Sequence, residues 1–408
     1  MYGSGSRPLT GLKVVELAHI MAGPVCGMML ADFGADVIKV EKSPDGDDTR
    51  RMAPPDLQGE SAAYIMLNRN KRGTVINLKH EDGKRALRRL LKTADVVIEN
   101  YRPGTMERLG LGYDSLALEN PGLIYCQITG FGNTGPYAGR AGFDLIAQGM
   151  SGLMSITGEG PGHPPIKVGA PVGDITAGII GAMGILAAYI HRLKTGRGQH
   201  IDTSLFEASM IHTYWQSAIF FSTAVIPGPM GTAHPLSAPY QAFQTSDSWI
   251  NVGAANQANW LRLLEVLGAQ ELTRDPRFIN NVERLHNLAP LVDRLAPLFR
   301  QRTTADWMTR LEAAGVPAGP VLNLGEALSN PQTLAREMVV EINHPKLGKQ
   351  KVLGIPVKFS ATPGAITRPA PCLGEHTSEV LTEIGYSPKE IELLADAGAV
   401  ILGGGSHG

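Results

Sequence analysis

Short apolar runs rich in β-branched residues alternate with amphipathic stretches through the first half of the chain. LKVVELA (12–18) and ADVIKVEK (35–42) read as buried strands, with a helix predicted over 25–34 between them. The same reading gives a strand TVINL within 67–79, a helix EDGKRALRRLLKTA, and strands at DVVIENY (95–101) and LIYCQITGFG (123–132). Strands alternating with helices predict a largely parallel, Rossmann-like α/β sheet covered on both faces. In open sheets of this kind ligands settle beyond the carboxyl ends of the strands. Those ends carry His19, Lys42, Asn100, Arg102 and the GFG turn.

The strongest apolar feature is residues 175–190, sixteen positions without a charge. Asp174, in APVGD, stands where a helix N-cap belongs, and its carboxylate form would be favoured by backbone N–H groups and the helix dipole. Gly178, Gly181, Ala182 and Gly184 weaken an isolated helix, so their spacing predicts close packing against another backbone or a ligand. The run falls short of the roughly 18–20 apolar residues of a membrane span, so a buried central helix is expected.

The pattern changes further on. A helical stretch is expected over 203–225, a Gly/Pro-rich linker over 227–239, and a hairpin around Ser246-Asp247-Ser248. NQANWLRLLEVLG, one long segment within 275–301 and TTADWMTRLEAAG follow as helices. The tail predicts a helix over 324–338, two strands, and a final pair of helices. The expected organisation is a large domain over 1–203, a linker helix over 204–226, a small α+β domain over 227–325, and a segment 326–408 returning to the large domain.

At 408 residues, 43% hydrophobic and 18% charged, the chain has the composition of a soluble two-domain protein. A net charge of −1 offers no global field for nucleic acid or an anionic membrane, so a polyanionic ligand needs a local basic cluster. Such residues recur near strand ends: Lys42, Arg50, Arg51, Lys71, Arg72, Lys79, Arg102, Arg108 and Arg140. A basic run is more often a solvated face, but this repetition favours a phosphate-bearing ligand. Three cysteines without CxxC predict free thiols in a reducing compartment, and MYGSGS lacks an apolar signal core. A cytoplasmic protein is expected. The histidines show no HExxH, so no metal is expected. The opening β-α-β unit, ending in Glu41, would suit NAD, but its turn lacks GxGxxG and leaves a pyrophosphate without its glycine cradle.

Eight ordered stretches narrow these options. GLKVVELAHIMAGP, ADVIKVEK, NRNKRG, ADVVIENYRPG, GFGNTGPYAGRAGFD, VGDITAG, HRLKTGRGQHID and LGEHTSEVLTEIGYSPKEI resemble the class III CoA-transferases, over nearly the whole chain. The group includes formyl-CoA and carnitine CoA-transferases and α-methylacyl-CoA racemases. The resemblance implies a CoA-binding large domain built from both chain ends, an inserted small domain, and two ring-shaped subunits interlocked as a homodimer. It implies acyl-CoA and a carboxylic acid as substrates, with neither metal nor NAD. Asp174 falls at the nucleophile. CoA contacts fall on His19, Ile20, Met21 and Ala22, on Lys42, on Leu78 and Lys79, and on Asn100, Tyr101, Arg102 and Arg108. Arg140 would approach the acyl end.

There are two departures. Met21 replaces the family's glutamine, and Phe143 stands where the racemase branch has a histidine. A racemase needs two acid/base groups flanking the α-carbon, a role Phe143 cannot fill. A CoA-sensing scaffold would keep the basic strand ends and have no use for Asp174. Oxyanions formed at the nucleophile would need fixed donors, for which the linker backbone over 228–231 is a candidate. Residues 231–257 resemble transferases of the succinyl-CoA–glutarate or hydroxymethylglutarate type. The distal charge of such an acid requires a cation, and Arg50, Arg72, Arg140 and His234 are the candidates, unless these residues serve only the CoA phosphates.

Overall fold

Each β-branched run forms a strand somewhat shorter than its apolar stretch, in a computed structural model that describes residues 7–403. The opening MYGSGS, and with it the signal-core reading, lies outside the described residues. The main sheet runs Val400–Ile401, Lys71–Ile76, Asp36–Glu41, Lys13–Glu16, Val96–Glu99, Ile124–Thr129, His200–Ser204. All neighbours pair in parallel except the edge strand Val400–Ile401, which lies antiparallel with Val400 opposite Ile76. That short strand was absent from the sequence reading.

From Lys13–Glu16 the chain adds strands outward on one side, then returns to build the other. The order therefore reverses between Lys13–Glu16 and Val96–Glu99, the crevice where doubly wound sheets bind ligands. One face of the sheet is covered by the helix Ala22–Asp32 and the long helix Val172–Thr195, which meet through Ala22, Cys26, Ala177 and Ala182. The other face holds helices Glu81–Leu91, Tyr113–Glu119, Thr377–Glu383 and Pro388–Asp396. The two helices nearest the C-terminus thus complete a core begun by the N-terminal strands.

The row of glycines is explained by backbone proximity. A Cβ on Gly178 would lie 2.6 Å from the Ala22 carbonyl oxygen and 2.8 Å from Val25, while one on Gly181 would meet Ile128 at 3.0 Å. The long helix is buried along this side only. Ile179, Met183, Ile190 and Leu193 on it are 44–69% exposed, so a wholly buried central helix is not what forms. At 24 residues the helix is long and apolar enough to cross a membrane, although its uncharged run is shorter.

The chain divides into two compact units. One takes the chain to Ser151, Gly169–His212 and Pro331 onward, and the other Gly152–Val168 with Thr213–Asn330. Residues 152–168 therefore join the second unit, where the Gly158 carbonyl accepts from Gly231 N–H at 2.9 Å. Residues 204–212 join the first, because Leu205 and Ala208 pack in its core. The expected linker helix is broken into Leu205–Met210, a 3₁₀ turn Ile211–Thr213 and Tyr214–Thr223.

In the second unit the hairpin Tyr240–Gln244 and Trp249–Gly253 is joined by Ala318–Pro320 in an antiparallel sheet. Trp260, Phe243, Phe299 and Leu263 fill its core. The long helix expected within 275–301 divides at Asn287, whose non-helical backbone ends Asn281–His286 and starts Leu288–Phe299. The helix expected over 324–338 likewise divides before Pro331, which disfavours helical backbone at Asn330.

Gly178→Ala is expected to destabilise the protein by about 1–3 kcal/mol, because a backbone carbonyl cannot yield as a side-chain end can. Chemical denaturation would read this as a lower midpoint at constant slope, and an unchanged midpoint would contradict the packing account.

Candidate active site

The site forms at the switch point, where the loops after Lys13–Glu16 and Val96–Glu99 clamp each other. The Asn100 side chain accepts from His19 N–H at 2.9 Å and donates to His19 O at 2.8 Å. The His19 and Tyr101 rings lie 5.6 Å apart. Glu99 accepts from Tyr101 N–H at 2.7 Å, and burial raises its carboxyl to about 8 despite that bond. Ile20 follows with φ +67°, a left-handed conformation rare for a β-branched residue, its N–H held by Asp47 at 3.1 Å. Helix Ala22–Asp32 then begins at Met21 without a side-chain cap.

The long helix brings Asp174 to this crevice, but Asp174 is not the cap. It occupies the third helical position behind Pro171. Asp144 does the capping from the neighbouring helix Asp144–Met150, its Oδ1 accepting from Gly173 N–H at 2.8 Å and Asp174 N–H at 3.3 Å. Gln148 Nε2 holds the other Asp144 oxygen at 2.7 Å. Gly173 is needed at this junction, because a Cβ there would lie 2.6 Å from Ser209 Oγ.

The electrostatic consequence reverses the sequence expectation. Burial first, and the Asp144 charge second, raise Asp174 from its ordinary 3.8 to about 7. The protein thus holds a carboxyl poised between neutral and ionised. The acid at Asp144 was missed in the sequence because GFD was read for Phe143; an acid opening a helix is the signal that marks it.

Asp174 lines a cavity of about 350 Å³ with His19, Ile20, Met21, Ala22, Asn100, Tyr101, Arg102, Arg140 and Phe143. Backbone contact shapes its rim: a Cβ on Gly130 would lie 2.6 Å from the Gly142 Cα. A smaller cavity of about 200 Å³ is lined by Lys42 and shares His19 and Tyr101 with the first. Arg140 stacks 4.0 Å over the Tyr137 ring.

Other predicted positions line neither cavity. Arg108 bonds Thr105 Oγ1 at 3.0 Å and lines neither cavity. Nor do Leu78, packed on the core, and the exposed Lys79. Arg50 is committed to Glu41 at 2.6 and 2.7 Å and to the Tyr64 ring, so it is unsuited to a substrate role. Arg72 is likewise excluded. It sits near the amino end of its strand, away from the crevice, and pairs with Asp36, Glu379 and Glu383 at 2.6–2.8 Å. His234 belongs to the second unit, where its Nδ1 accepts from Leu236 N–H at 3.0 Å and its ring meets Tyr240. The linker over 228–231 is also in that unit, and Gly231 N–H is already donated.

Pairing also sorts the basic residues. Lys42 pairs with Asp48, and Arg51 with Asp45. Among the described residues, Lys79, Arg102, Arg108 and Arg140 have no ion pair, and of these Arg102 and Arg140 line the Asp174 cavity. No cluster of metal-binding side chains occurs among the described residues.

A doubly wound sheet with a half-buried aspartate and unpaired arginines at its switch point makes a site suited to an anionic ligand. Residues 9–377 match the model of CoA-transferase family III, and the chain belongs to that family. It is therefore a CoA-transferase, whose substrates are CoA thioesters and carboxylic acids. A human succinyl-CoA:glutarate CoA-transferase is 38% identical over 97% of this chain and 90% of its own length. A succinate–glutarate CoA-transferase from Agrobacterium fabrum is 41% identical over 92% of this chain and 96% of its own. A solved CAIB/BAIF family protein from Brucella suis is 42% identical, covering 93% of this chain and 100% of its own, with a TM-score of 0.82.

Because the folded protein binds the Asp174 proton more tightly than the unfolded chain between 3.8 and about 7, this group stabilises the fold fully below that window. The contribution is lost as pH rises through 7. Asp174→Asn should therefore be more heat-stable than the parent near pH 8 and lose that advantage near pH 4. Asp144→Asn, which keeps an acceptor for the two N–H groups, should move the acid limb of kcat/KM toward lower pH by up to about one unit. An unmoved limb would remove Asp144 from the account of Asp174.

Proposed function

We propose that the protein exchanges CoA between a dicarboxylate thioester of the succinyl or glutaryl kind and a free dicarboxylate, with Asp174 as covalent nucleophile. The observation that carries this reading is the half-buried Asp174 sharing one cavity with the unpaired Arg140. The names of the human and Agrobacterium relatives support the acid class.

The chemistry balances without a redox partner. An Asp174 oxygen attacks the thioester carbonyl carbon, the C–S bond breaks, and CoA leaves as thiolate with a mixed anhydride on Asp174. The thiolate attacks the aspartyl carbonyl, breaking the anhydride C–O bond, to give aspartyl-CoA thioester and the donor acid. The acceptor carboxylate then attacks the aspartyl carbonyl and expels thiolate. Finally the thiolate takes the acceptor acyl group and Asp174 is regenerated as carboxylate. Splitting one exchange into thioester and anhydride steps is ordinary covalent catalysis. A nucleophile near neutrality in pKa suits both attack and departure.

CoA would lie along the loops carrying His19–Ala22 and Asn100–Arg102, with Arg102 toward its phosphates and Lys42 joining it by leaving its solvent-exposed, weak pair with Asp48. Arg140 would hold the distal carboxylate, an anion too costly to bury without a partner. The racemase alternative lacks its second acid/base group, since Phe143 lines the cavity. We also propose an interlocked homodimer. Support comes from the exposed apolar side of the long helix, and separately from Phe221 and Ile226 of the second unit, 83% and 81% exposed. Tyr214, Trp215 and Val225 are exposed along the same stretch, so its outer side is apolar. Monomeric mass with full activity would refute the dimer.

Asp174→Ala should abolish exchange while keeping fold and CoA affinity, and the parent protein with succinyl-CoA should leave a mass adduct on the peptide holding Asp174. Full activity in the variant would end the covalent reading. Arg140→Met should raise KM for glutarate or succinate at least ~10-fold with little change for CoA, as uniform binding is lost rather than chemistry. Equal use of monocarboxylates by the parent would end the dicarboxylate assignment.

A further inference from the structure

Beneath the His19–Ala22 loop lies a buried group of four charges that the exchange chemistry does not use. Lys39 Nζ lies 3.0 Å from Glu16 and 2.7 Å from Asp47, and Lys71 Nζ lies 2.8 Å from the other Glu16 oxygen. All four side chains are at most 1% exposed. Burying ion pairs of this kind seldom stabilises a fold more than apolar packing would, so their value is sought in what they hold in place.

They hold the loop's main chain at three points. Lys39 donates to Ala18 O at 2.8 Å, just before the loop. Asp47 Oδ1 accepts from Ile20 N–H at 3.1 Å, in its middle. Lys71 donates to Pro24 O at 2.9 Å, just after it. Asp47 is fixed in turn by Thr49, whose N–H and hydroxyl donate to it at 2.9 and 2.8 Å, and its own N–H donates to Glu41 at 2.8 Å. The residue at the middle contact is Ile20, whose positive φ is unfavourable for an isoleucine and persists only when the surroundings impose it. Ile20 and its neighbours Met21 and Ala22 line the cavity of Asp174.

We propose that Glu16, Lys39, Asp47 and Lys71 are positioning residues of the transferase, which impose the left-handed conformation of Ile20 and so set the main-chain wall of the cavity that Asp174 lines. Burial alone would drive Lys39 toward its neutral form, yet Glu16, Asp47 and Glu41 raise it above the usual lysine range, which keeps the central cation charged. The clamp acts on main-chain geometry, not on CoA or the acid directly. CoA would lie along the same loop, so failure of the clamp lowers turnover at saturation and also weakens acyl-CoA binding, with the larger effect on turnover.

The test is a double-mutant cycle on the full-length protein. Asp47→Asn should lower kcat roughly ten- to hundredfold, with KM for acyl-CoA raised by a smaller factor because CoA would lie along the same loop. Glycine adopts positive φ without steric cost, so Ile20→Gly added to Asp47→Asn should recover at least about tenfold of the lost kcat. A role in folding alone predicts a lower melting temperature, unchanged kcat per folded site and no rescue, and that result would overturn the proposal. Should Asp47→Asn not fold, Ile20→Pro leaves the four charges in place and forbids positive φ. It should lower kcat at saturating acyl-CoA to a similar extent, and unchanged turnover would overturn the proposal. Parent turnover is measured with several acid pairs, so a wrong substrate class shows in the parent and is distinguishable from failure of the clamp.

Discussion

The close approach of the long helix to the start of the first helix sets the position of the whole site. Helices meet this tightly only where side chains are absent from the contact, and Gly178 against the Ala22 carbonyl is that contact. The helix Ala22–Asp32 is fixed to the first strand by a short loop, and Asp174 lies one turn before Gly178. Bringing the two backbones together therefore brings the aspartate to the loop that lines the cavity. The remaining glycines of the row, Gly181 and Gly184, continue the same approach down the sheet toward Ile128 and Ile201.

Charge is used in this molecule mostly to build rather than to bind. Arg50, Arg72 and Arg69 each bond to carboxylates within the chain, and Lys39 and Lys71 are wholly internal. A cation committed to one or two carboxylates adds little attraction for a further anion. The arginines left with unpaired charge at the crevice, Arg102 and Arg140, are correspondingly few, which makes each of them informative. The same economy governs Asp174: with no cation paired to it, burial and Asp144 push its proton affinity upward.

Much of the fold was legible because periodicity reports burial directly. LKVVELA, ADVIKVEK and DVVIENY place apolar residues on both faces, as strands covered by helices on both sides must, with buried charges such as Glu16 and Lys39 as exceptions. His19, Asn100 and Arg102 could be placed at the crevice for the same reason, by their position after a strand, whereas Ile20, Met21, Ala22 and Tyr101 came from the family resemblance. Arg50 and Arg72 could not be placed by that logic, because whether an arginine is free depends on partners distant in sequence. Arg72 meets Glu379 and Glu383 across 307 and 311 positions, pairings that no local pattern encodes. Asp174 shows the complementary difficulty. A local reading makes it a cap with a depressed pKa, whereas an acid thirty positions away takes over the capping and reverses the shift.

The antiparallel edge strand carries a consequence for how the chain is made. Val400–Ile401 pairs with Lys71–Ile76, and the helices Thr377–Glu383 and Pro388–Asp396 cover a core whose strands lie far earlier in the chain. Contacts of such sequence separation raise contact order and delay closure of the sheet. The strand Lys71–Ile76 must wait with one edge unpaired, and apolar surface under Leu87 and Leu90 uncovered, until residues 377–401 have been made. The second unit has most of its contacts within a continuous stretch and can mature earlier, while the chain is still emerging. An exposed strand edge flanked by apolar surface invites association with other nascent chains. A shortened C-terminus would therefore endanger solubility during synthesis before it touched the chemistry at Asp174.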